Sequence, residues 1–225
     1  MLVFAPAAPF GRLGVLLSAL IVVFGCIGLT MHPDFYAGIR RRGYFAYYTV
    51  LSNLLVLVYF ALIGPLLYQR NSPLSPHAEF AVMMCIMLTC IVFHVLLLPM
   101  MIKKAAAMEK TRAFSILFWD NLVVHALVPL LTFFYWLFCG PGKAALGWAD
   151  ALYFTLFPLG YLALVFVRAK LGIILPEENS VYPYPFLNCK LRGTGAVLRT
   201  CLKLYVLMAG SALVLIAALR LFYVP

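Results

Sequence analysis

Charged residues are scarce in this sequence, and acidic residues are the scarcest of them. Only 11% of the 225 residues are charged, with 7 Asp and Glu against 17 Lys and Arg, while 65% are hydrophobic and the mean hydropathy is +1.03. A soluble domain carries about 25% charged residues, so this composition excludes a soluble domain and predicts a membrane protein. We therefore assign the net charge of +10 to loops at one membrane surface and expect no nucleic-acid binding.

The cysteines lack the patterns that would give them a chemical role. None of the six belongs to a Cys-x-x-Cys pair, and most lie inside apolar segments. The sequence therefore predicts neither a zinc site nor a disulfide framework. We expect the cysteines to be small packing residues.

Six hydrophobic runs are long enough to cross the ~30 Å apolar core of a bilayer, which takes about 20 residues as a helix. Prolines and glycines lie between the runs and support their limits. We predict an all-α fold, a single domain of six transmembrane helices over residues 1–225. The predicted helices span about 13–30, 44–68, 79–102, 115–138, 149–171 and 200–224.

Lys and Arg are distributed unevenly between the two sides of such a bundle. The termini with the second and fourth loops hold four of them, and the first, third and fifth loops with their flanks hold thirteen. Because cytoplasmic loops carry the excess of Lys and Arg, loops one, three and five are predicted to be cytoplasmic and both termini to lie outside. We expect a multi-pass protein of the cell membrane, in a bacterial inner membrane.

The fourth predicted helix carries polar residues that are costly to place in lipid. Its segment WDNLVVHALVP contains Asp120, Asn121 and His125. At ~1.5 Å per residue His125 lies about 15 Å into the membrane, with Asn121 one turn away on the same face and Asp120 nearer the interface. Pro129 has no backbone N–H to donate to the His125 carbonyl four residues earlier, which predicts a kink in the helix.

Two further helices place polar side chains at overlapping depth. The second helix carries Thr49, Ser52 and Asn53 on one face, with Thr49 roughly 8–9 Å deep, and the third carries His94 about 12 Å from its cytoplasmic end. Single Ser, Thr or Asn residues in membrane helices often act only as hydrogen-bonding links between helices. Their convergence with ionisable residues inside the membrane predicts a functional pocket in the cytoplasmic half.

The fifth loop is too apolar and aromatic for an ordinary solvated connection. Its centre reads VYPYPFLN, in which two prolines favour an extended chain. One interpretation is an interfacial belt of Tyr182, Tyr184 and Phe186. The other is a lid that covers the polar cluster on the same side of the membrane.

Taken in order, these motifs resemble a known family. YYTVLSNLL, W-x-N-x-x-x-H-x-x-x-P, D-A-L-x-x-x-x-x-P-L-x-Y and YPYPFLN, from about residue 13 to 224, resemble the bacterial six-helix Pr-six-Pr membrane family. They are more distantly similar to the androgen-induced and androgen-dependent membrane proteins of animals, which are intramembrane threonine hydrolases of fatty-acid esters. The resemblance implies a Thr nucleophile at Thr49 and a His base at His125. Asn188 stands where related proteins tend to carry an acid.

The chemistry implied by the resemblance suits these residue types. A Thr hydroxyl needs a neighbouring base, which a neutral buried His supplies, and Asn121 or Asn53 could orient the imidazole or donate to a developing oxyanion. The expected partners are membrane lipids and a lipid ester substrate, without a cofactor.

Three other functions stay open on the sequence alone. His94 and His125 lie on antiparallel helices at similar depth, as a bis-His haem or metal site requires. A transporter is a second alternative, although no matched pair of Gly- or Pro-broken helices repeats in two halves. A scaffold without chemistry is the third.

Overall fold

The computed structural model describes residues 11–31, 43–72, 74–105, 121–140, 142–175 and 178–222. Within these ranges the chain is almost entirely helical, as the composition predicts. The α-helices are α1 (Arg12–Met31), α2 (Tyr48–Val58), α3 (Gly64–Gln69), α4 (Ser75–Val92), α5 (Leu98–Ala105), α6 (Val128–Cys139), α7 (Asp150–Tyr153), α8 (Leu156–Lys170), α9 (Cys189–Arg192) and α10 (Thr194–Phe222).

Five helical segments of the described chain are long and apolar enough to cross a membrane. They are Arg12–Thr30, Tyr48–Leu67, Ser75–Lys103, Asp150–Lys170 and Thr194–Leu221, and they correspond to the first, second, third, fifth and sixth predicted helices. The described apolar part of the fourth is shorter, Val123–Cys139, because residues 115–120 of that prediction lie outside the described residues. The described chain has the architecture expected of a multi-pass membrane protein.

Three predicted helix starts are wrong. The third helix begins at Ser75 and not at 79, because Pro76 is accommodated in its first turn. The second helix begins at Tyr48 and not at 44, because a short 3₁₀ turn (Tyr44–Ala46) and an extended Tyr47 precede it. The last helix begins at Thr194 and not at 200. Gly193 adopts a positive φ of 77° immediately before it, a conformation that favours glycine and lets the chain turn directly into the long helix.

Three π-helical turns interrupt the membrane helices in the described part of the chain, and each ends two residues before a proline. They are π1 (Tyr59–Ile63), π2 (Phe93–Leu97) and π3 (Val123–Leu127), followed by Pro65, Pro99 and Pro129. Proline lacks an N–H group, and its ring clashes with the carbonyl four residues earlier, so the backbone widens before it. The kink predicted at Pro129 therefore takes the form of a π turn that contains His125.

Four of the membrane helices form the centre of the bundle. Helix α1 packs against α2 and α6, and α4 packs against the same two helices. Gly28 permits the close approach of α1 to π3, since a Cβ at this position would collide with Val124 and Val123. Helices α8 and α10 flank this centre, and α10 is attached to the core through Met208, Ala212 and Ile216. The side chains that carry chemistry lie where α2, α4 and π3 meet.

Candidate active site

Thr49 lies in the first turn of α2, where backbone N–H groups have no partner within the helix. The N-cap residue, Tyr47, makes no side-chain capping hydrogen bond. The N–H of Thr49 donates instead to Tyr184 Oη at 3.4 Å, and the Thr49 side chain is half-buried. The hydroxyl thus stands at a helix end that opens toward the loop after α8.

His125 reaches the Thr49 hydroxyl from π3. Its Nε2 lies 3.0 Å from Thr49 Oγ1, and its Nδ1 lies 3.1 Å from the backbone carbonyl oxygen of Asn121. A carbonyl only accepts, so Nδ1 carries the proton and, in the neutral ring, Nε2 has the lone pair that receives the Thr49 O–H. The tautomer is the one a general base for Thr49 requires.

The imidazole is held in place by packing as well. The Phe93 ring stacks on it with a centroid distance of 4.0 Å and an interplanar angle of 19°, and the side chain of His125 is buried. Two hydrogen bonds and one stacked ring leave the imidazole a single orientation, which is the kind of preorganisation that catalysis uses.

The predicted supporting residues hold the backbone around the pair. Asn53 Nδ2 donates to the carbonyls of Thr49 (2.8 Å) and Val124 (3.1 Å), which links α2 to π3. Asn53 Oδ1 is buried and has no hydrogen-bond partner in the described residues.

Ser52 donates to the Thr49 carbonyl at 3.2 Å and its hydroxyl lies 2.6 Å from that of Thr89. The backbone carbonyl of Asn121 accepts from the imidazole and orients it, a contact that the sequence interpretation does not include.

The fifth loop folds into the bundle. Tyr182, Tyr184 and Phe186 are all buried, and the Tyr184 and Phe186 rings stack at 5.3 Å and 12°. Tyr184 Oη also lies 3.4 Å from Thr49 Oγ1. Burial raises the pKa of Tyr184 above its usual value, so the phenol keeps its proton. Of the two interpretations, the geometry favours a loop that covers the Thr49–His125 pair, with Tyr182 outside the cavity lining.

Asn188 has a structural role at the end of this loop. Its Oδ1 accepts from the N–H groups of Lys190 (3.0 Å) and Leu191 (3.1 Å), which makes it the N-cap of α9. Asn and Asp are equally good N-caps. The amide therefore does at this position what a carboxylate would also do.

Thr49 and His125 face an apolar cavity of about 430 Å³. Its wall includes Leu88, Val92, Phe154, Tyr184 and Phe186. Several lining residues have large exposed fractions: Leu159 50%, Leu198 52%, Leu202 61% and Tyr205 37%. These residues belong to α8 and α10, so the cavity opens sideways between the two flanking helices.

One predicted site residue, His94, is not part of this arrangement. His94 is exposed, its Nδ1 lies 2.7 Å from the carbonyl oxygen of Cys90 on its own helix, and it does not line the cavity. Asp120 lies outside the described residues.

Both ring nitrogens of His125 already have hydrogen-bond partners, so iron binding by His125 and His94 would have to break the contact between His125 and Thr49. The described residues contain no group of three or more His, Cys, Asp or Glu that could hold a metal ion.

The sequence interpretation missed two residues of the site. Thr89 lines the cavity and contacts Ser52, and Phe93 stacks on His125. Thr89 stands at a depth similar to the other polar residues, so the same depth argument could have found it. No sequence signal distinguishes Phe93 from the other aromatic residues of the membrane helices.

Comparison with known proteins adds no relative: no protein-family model, curated protein or solved structure matches the chain. The resemblance to the Pr-six-Pr family and to the animal hydrolases stays a prediction.

Proposed function

We propose that the protein is an intramembrane hydrolase of lipid esters, in which Thr49 is the nucleophile and His125 the general base. The proposal depends above all on the 3.0 Å contact between Thr49 Oγ1 and His125 Nε2 beside an apolar cavity. A hydroxyl is a weak nucleophile at neutral pH and reacts when an adjacent base takes its proton. The protonation pattern of the imidazole provides that base at the correct nitrogen.

The reaction proceeds in two halves. Thr49 Oγ1 attacks the ester carbonyl as its proton passes to His125 Nε2, and the alcohol leaves with that proton, so an acyl-Thr49 ester remains. Water then attacks the acyl carbon as His125 takes a proton from it; the bond to Thr49 Oγ1 breaks, His125 returns the proton to Oγ1, and the fatty acid leaves. The Asn121 carbonyl stabilises the imidazolium formed in each half, since it accepts from Nδ1.

The cavity suits an acyl chain. Its volume of about 430 Å³ lies within the range of ligand pockets, and its lining is mainly apolar. The opening between α8 and α10 faces the side of the bundle that lipid would cover. A membrane lipid ester could therefore enter laterally, with its carbonyl group directed to the polar end at Thr49.

We also infer six membrane spans with both termini outside the cytoplasm. The apolar helix Val123–Cys139 needs only a few preceding residues to reach the length of a span. Cationic residues cluster around the fifth loop at Arg168, Lys170, Lys190 and Arg192, which favours a cytoplasmic position for it. A C-terminal alkaline phosphatase fusion, active only outside the cytoplasm, is expected to be active. An inactive, well-expressed fusion would contradict the orientation.

A covalent probe tests the hydrolase directly. Purified protein in detergent is treated with a long-chain fluorophosphonate, which phosphonylates activated hydroxyl groups. Thr49→Ala and His125→Ala are each expected to abolish labelling, because one removes the nucleophile and the other its base. Survival of labelling in both variants would contradict the mechanism.

Matched controls separate chemistry from general damage. Thr132 is a buried threonine whose hydroxyl donates to the Val128 carbonyl at 2.8 Å, away from the cavity. Thr132→Ala is expected to leave labelling intact, and so is His94→Ala, since His94 does not line the cavity.

A further inference from the structure

Tyr184 lies beside the reacting pair and has no role in the mechanism above. Its Oη accepts from the Thr49 N–H at 3.4 Å and lies 3.4 Å from Thr49 Oγ1. The ring is fixed between Phe186, stacked at 5.3 Å, and the edge of Tyr47 at 5.9 Å. The phenol oxygen is therefore held next to the nucleophile, at the wall of the cavity.

The direction of each hydrogen bond leaves the phenol proton available. Thr49 Oγ1 gives its own hydrogen to His125 Nε2, so toward Tyr184 it can only accept. Tyr184 Oη accepts from a backbone N–H, so its hydrogen points away from that N–H. The resulting order of donation is Tyr184 O–H to Thr49 O–H to His125 Nε2.

We infer that Tyr184 is the oxyanion donor of this site, an inference that rests on the proposed hydrolase function. As the Thr49 Oγ1–carbon bond forms and the proton moves to His125, the carbonyl electron pair moves onto the carbonyl oxygen. Thr49 Oγ1, now bonded to the acyl carbon, becomes a poorer acceptor, and the Tyr184 O–H turns to the new oxyanion. Collapse re-forms the C=O bond, breaks the bond to the alcohol oxygen, and passes the proton from His125 to that alcohol.

Two other roles for Tyr184 make different predictions. A general acid would protonate the leaving alcohol, so its loss would harm esters of poorly acidic alcohols far more than nitrophenyl esters. A purely structural phenol would support the loop and would affect binding of any ligand in the cavity. An oxyanion donor acts on the carbonyl oxygen, so its removal slows acylation by a similar factor for every leaving group.

The test compares Tyr184→Phe with Tyr44→Phe. Tyr44 is a matched control, because it is buried and its hydroxyl donates to the Leu29 carbonyl at 2.6 Å, away from the cavity. For Tyr184→Phe we expect kcat/KM to fall about 10²- to 10³-fold on both a p-nitrophenyl ester and an alkyl ester of the same long-chain acid. Binding of the corresponding non-hydrolysable ether should be unchanged, and Tyr44→Phe should keep its activity.

The outcomes distinguish this inference from the proposed function. Activity remaining in Thr49→Ala would contradict the hydrolase itself. An inactive Thr49→Ala with a fully active Tyr184→Phe would overturn only the role of Tyr184, as would a loss confined to the alkyl ester or weaker binding of the ether. If Tyr184→Phe does not fold, 3-fluorotyrosine placed at position 184 gives a more acidic phenol of nearly the same shape. It should raise kcat/KM, and an unchanged value would refute the assignment.

Discussion

Replacing Asn53 by Leu tests how the fold sets the distance between nucleophile and base. Among the described residues Asn53 makes no hydrogen bond to the imidazole, and its amide joins the Thr49 carbonyl on α2 to the Val124 carbonyl on π3. Leucine has a similar volume and cannot make either bond. The change therefore removes the link between the two elements while leaving Thr49 and His125 themselves intact.

The expected cost in stability is small. Polar side-chain hydrogen bonds in membrane proteins contribute about 0.6 kcal/mol each, so the two bonds of Asn53, one within α2 and one to π3, amount to roughly 1 kcal/mol. Asn53 Oδ1, buried without a hydrogen-bond partner in the described residues, disappears with the substitution and offsets part of that loss. We expect Asn53→Leu to lower the free energy of unfolding by about 1 kcal/mol or less.

The expected cost in activity is much larger. A displacement of about 1 Å between catalytic groups can reduce the rate about 100-fold. We expect kcat for a long-chain ester to fall roughly 10- to 100-fold, with expression and detergent unfolding temperature close to those of the parent. Thr132→Val is the control, since it also removes one buried hydrogen bond but leaves the site alone. An Asn53→Leu variant with unchanged kcat, or one that loses activity only because it unfolds, would refute the reasoning.

Two further predictions concern the cavity opening and the opposite end of the bundle. Leu202 lies at the exposed opening of the cavity, so Leu202→Trp should obstruct the entry of a long acyl chain. In a series of esters of increasing chain length, kcat/KM should fall for long-chain esters but not for short-chain esters. Equal effects on both would contradict lateral entry. Lys143 and Glu79 are buried and attract each other, and burial lowers the pKa of Lys143 while the Glu79 carboxylate opposes that shift. Lys143→Met should destabilise the protein by about 1–3 kcal/mol, because it removes the Nζ hydrogen bond to the Gly140 carbonyl and leaves buried polar groups without their donor. Adding Glu79→Gln should restore most of the unfolding temperature; failure to do so would contradict the pairing.

Hydropathy and helical spacing predict much of the framework. The composition indicates membrane helices, and five of the predicted runs correspond to helices of sufficient length in the described chain. The helical period also places Thr49 and Asn53 one turn apart on α2, and Asn53 bonds to the Thr49 carbonyl. These features depend on local sequence, so they can be inferred without knowledge of tertiary packing.

The distance between Thr49 and His125 could not be predicted in this way. A rise of ~1.5 Å per residue, counted from the start of each predicted helix, places the two residues about 6 Å apart in depth. The chain before α2 is not α-helical, however: after the 3₁₀ turn Tyr44–Ala46, the extended Tyr47 advances the backbone by about 3.3 Å. The π turn then changes the direction of His125. Together with the reach of the imidazole, these features allow the 3.0 Å contact.

The contacts that orient the imidazole could not be predicted from the sequence either. They come from a backbone carbonyl of Asn121 and the ring of Phe93, neither of which differs in sequence from many similar groups. The position of Tyr184 depends on how the fifth loop folds back, which the prolines and aromatic residues suggest but do not determine.

The most direct measurement of the central claim is tandem mass spectrometry of the fluorophosphonate-treated protein. The account predicts a phosphonyl adduct on the peptide that contains Thr49, localised to that residue, and its absence in His125→Ala. An adduct on another residue, or no adduct at Thr49 in folded parent protein, would contradict it.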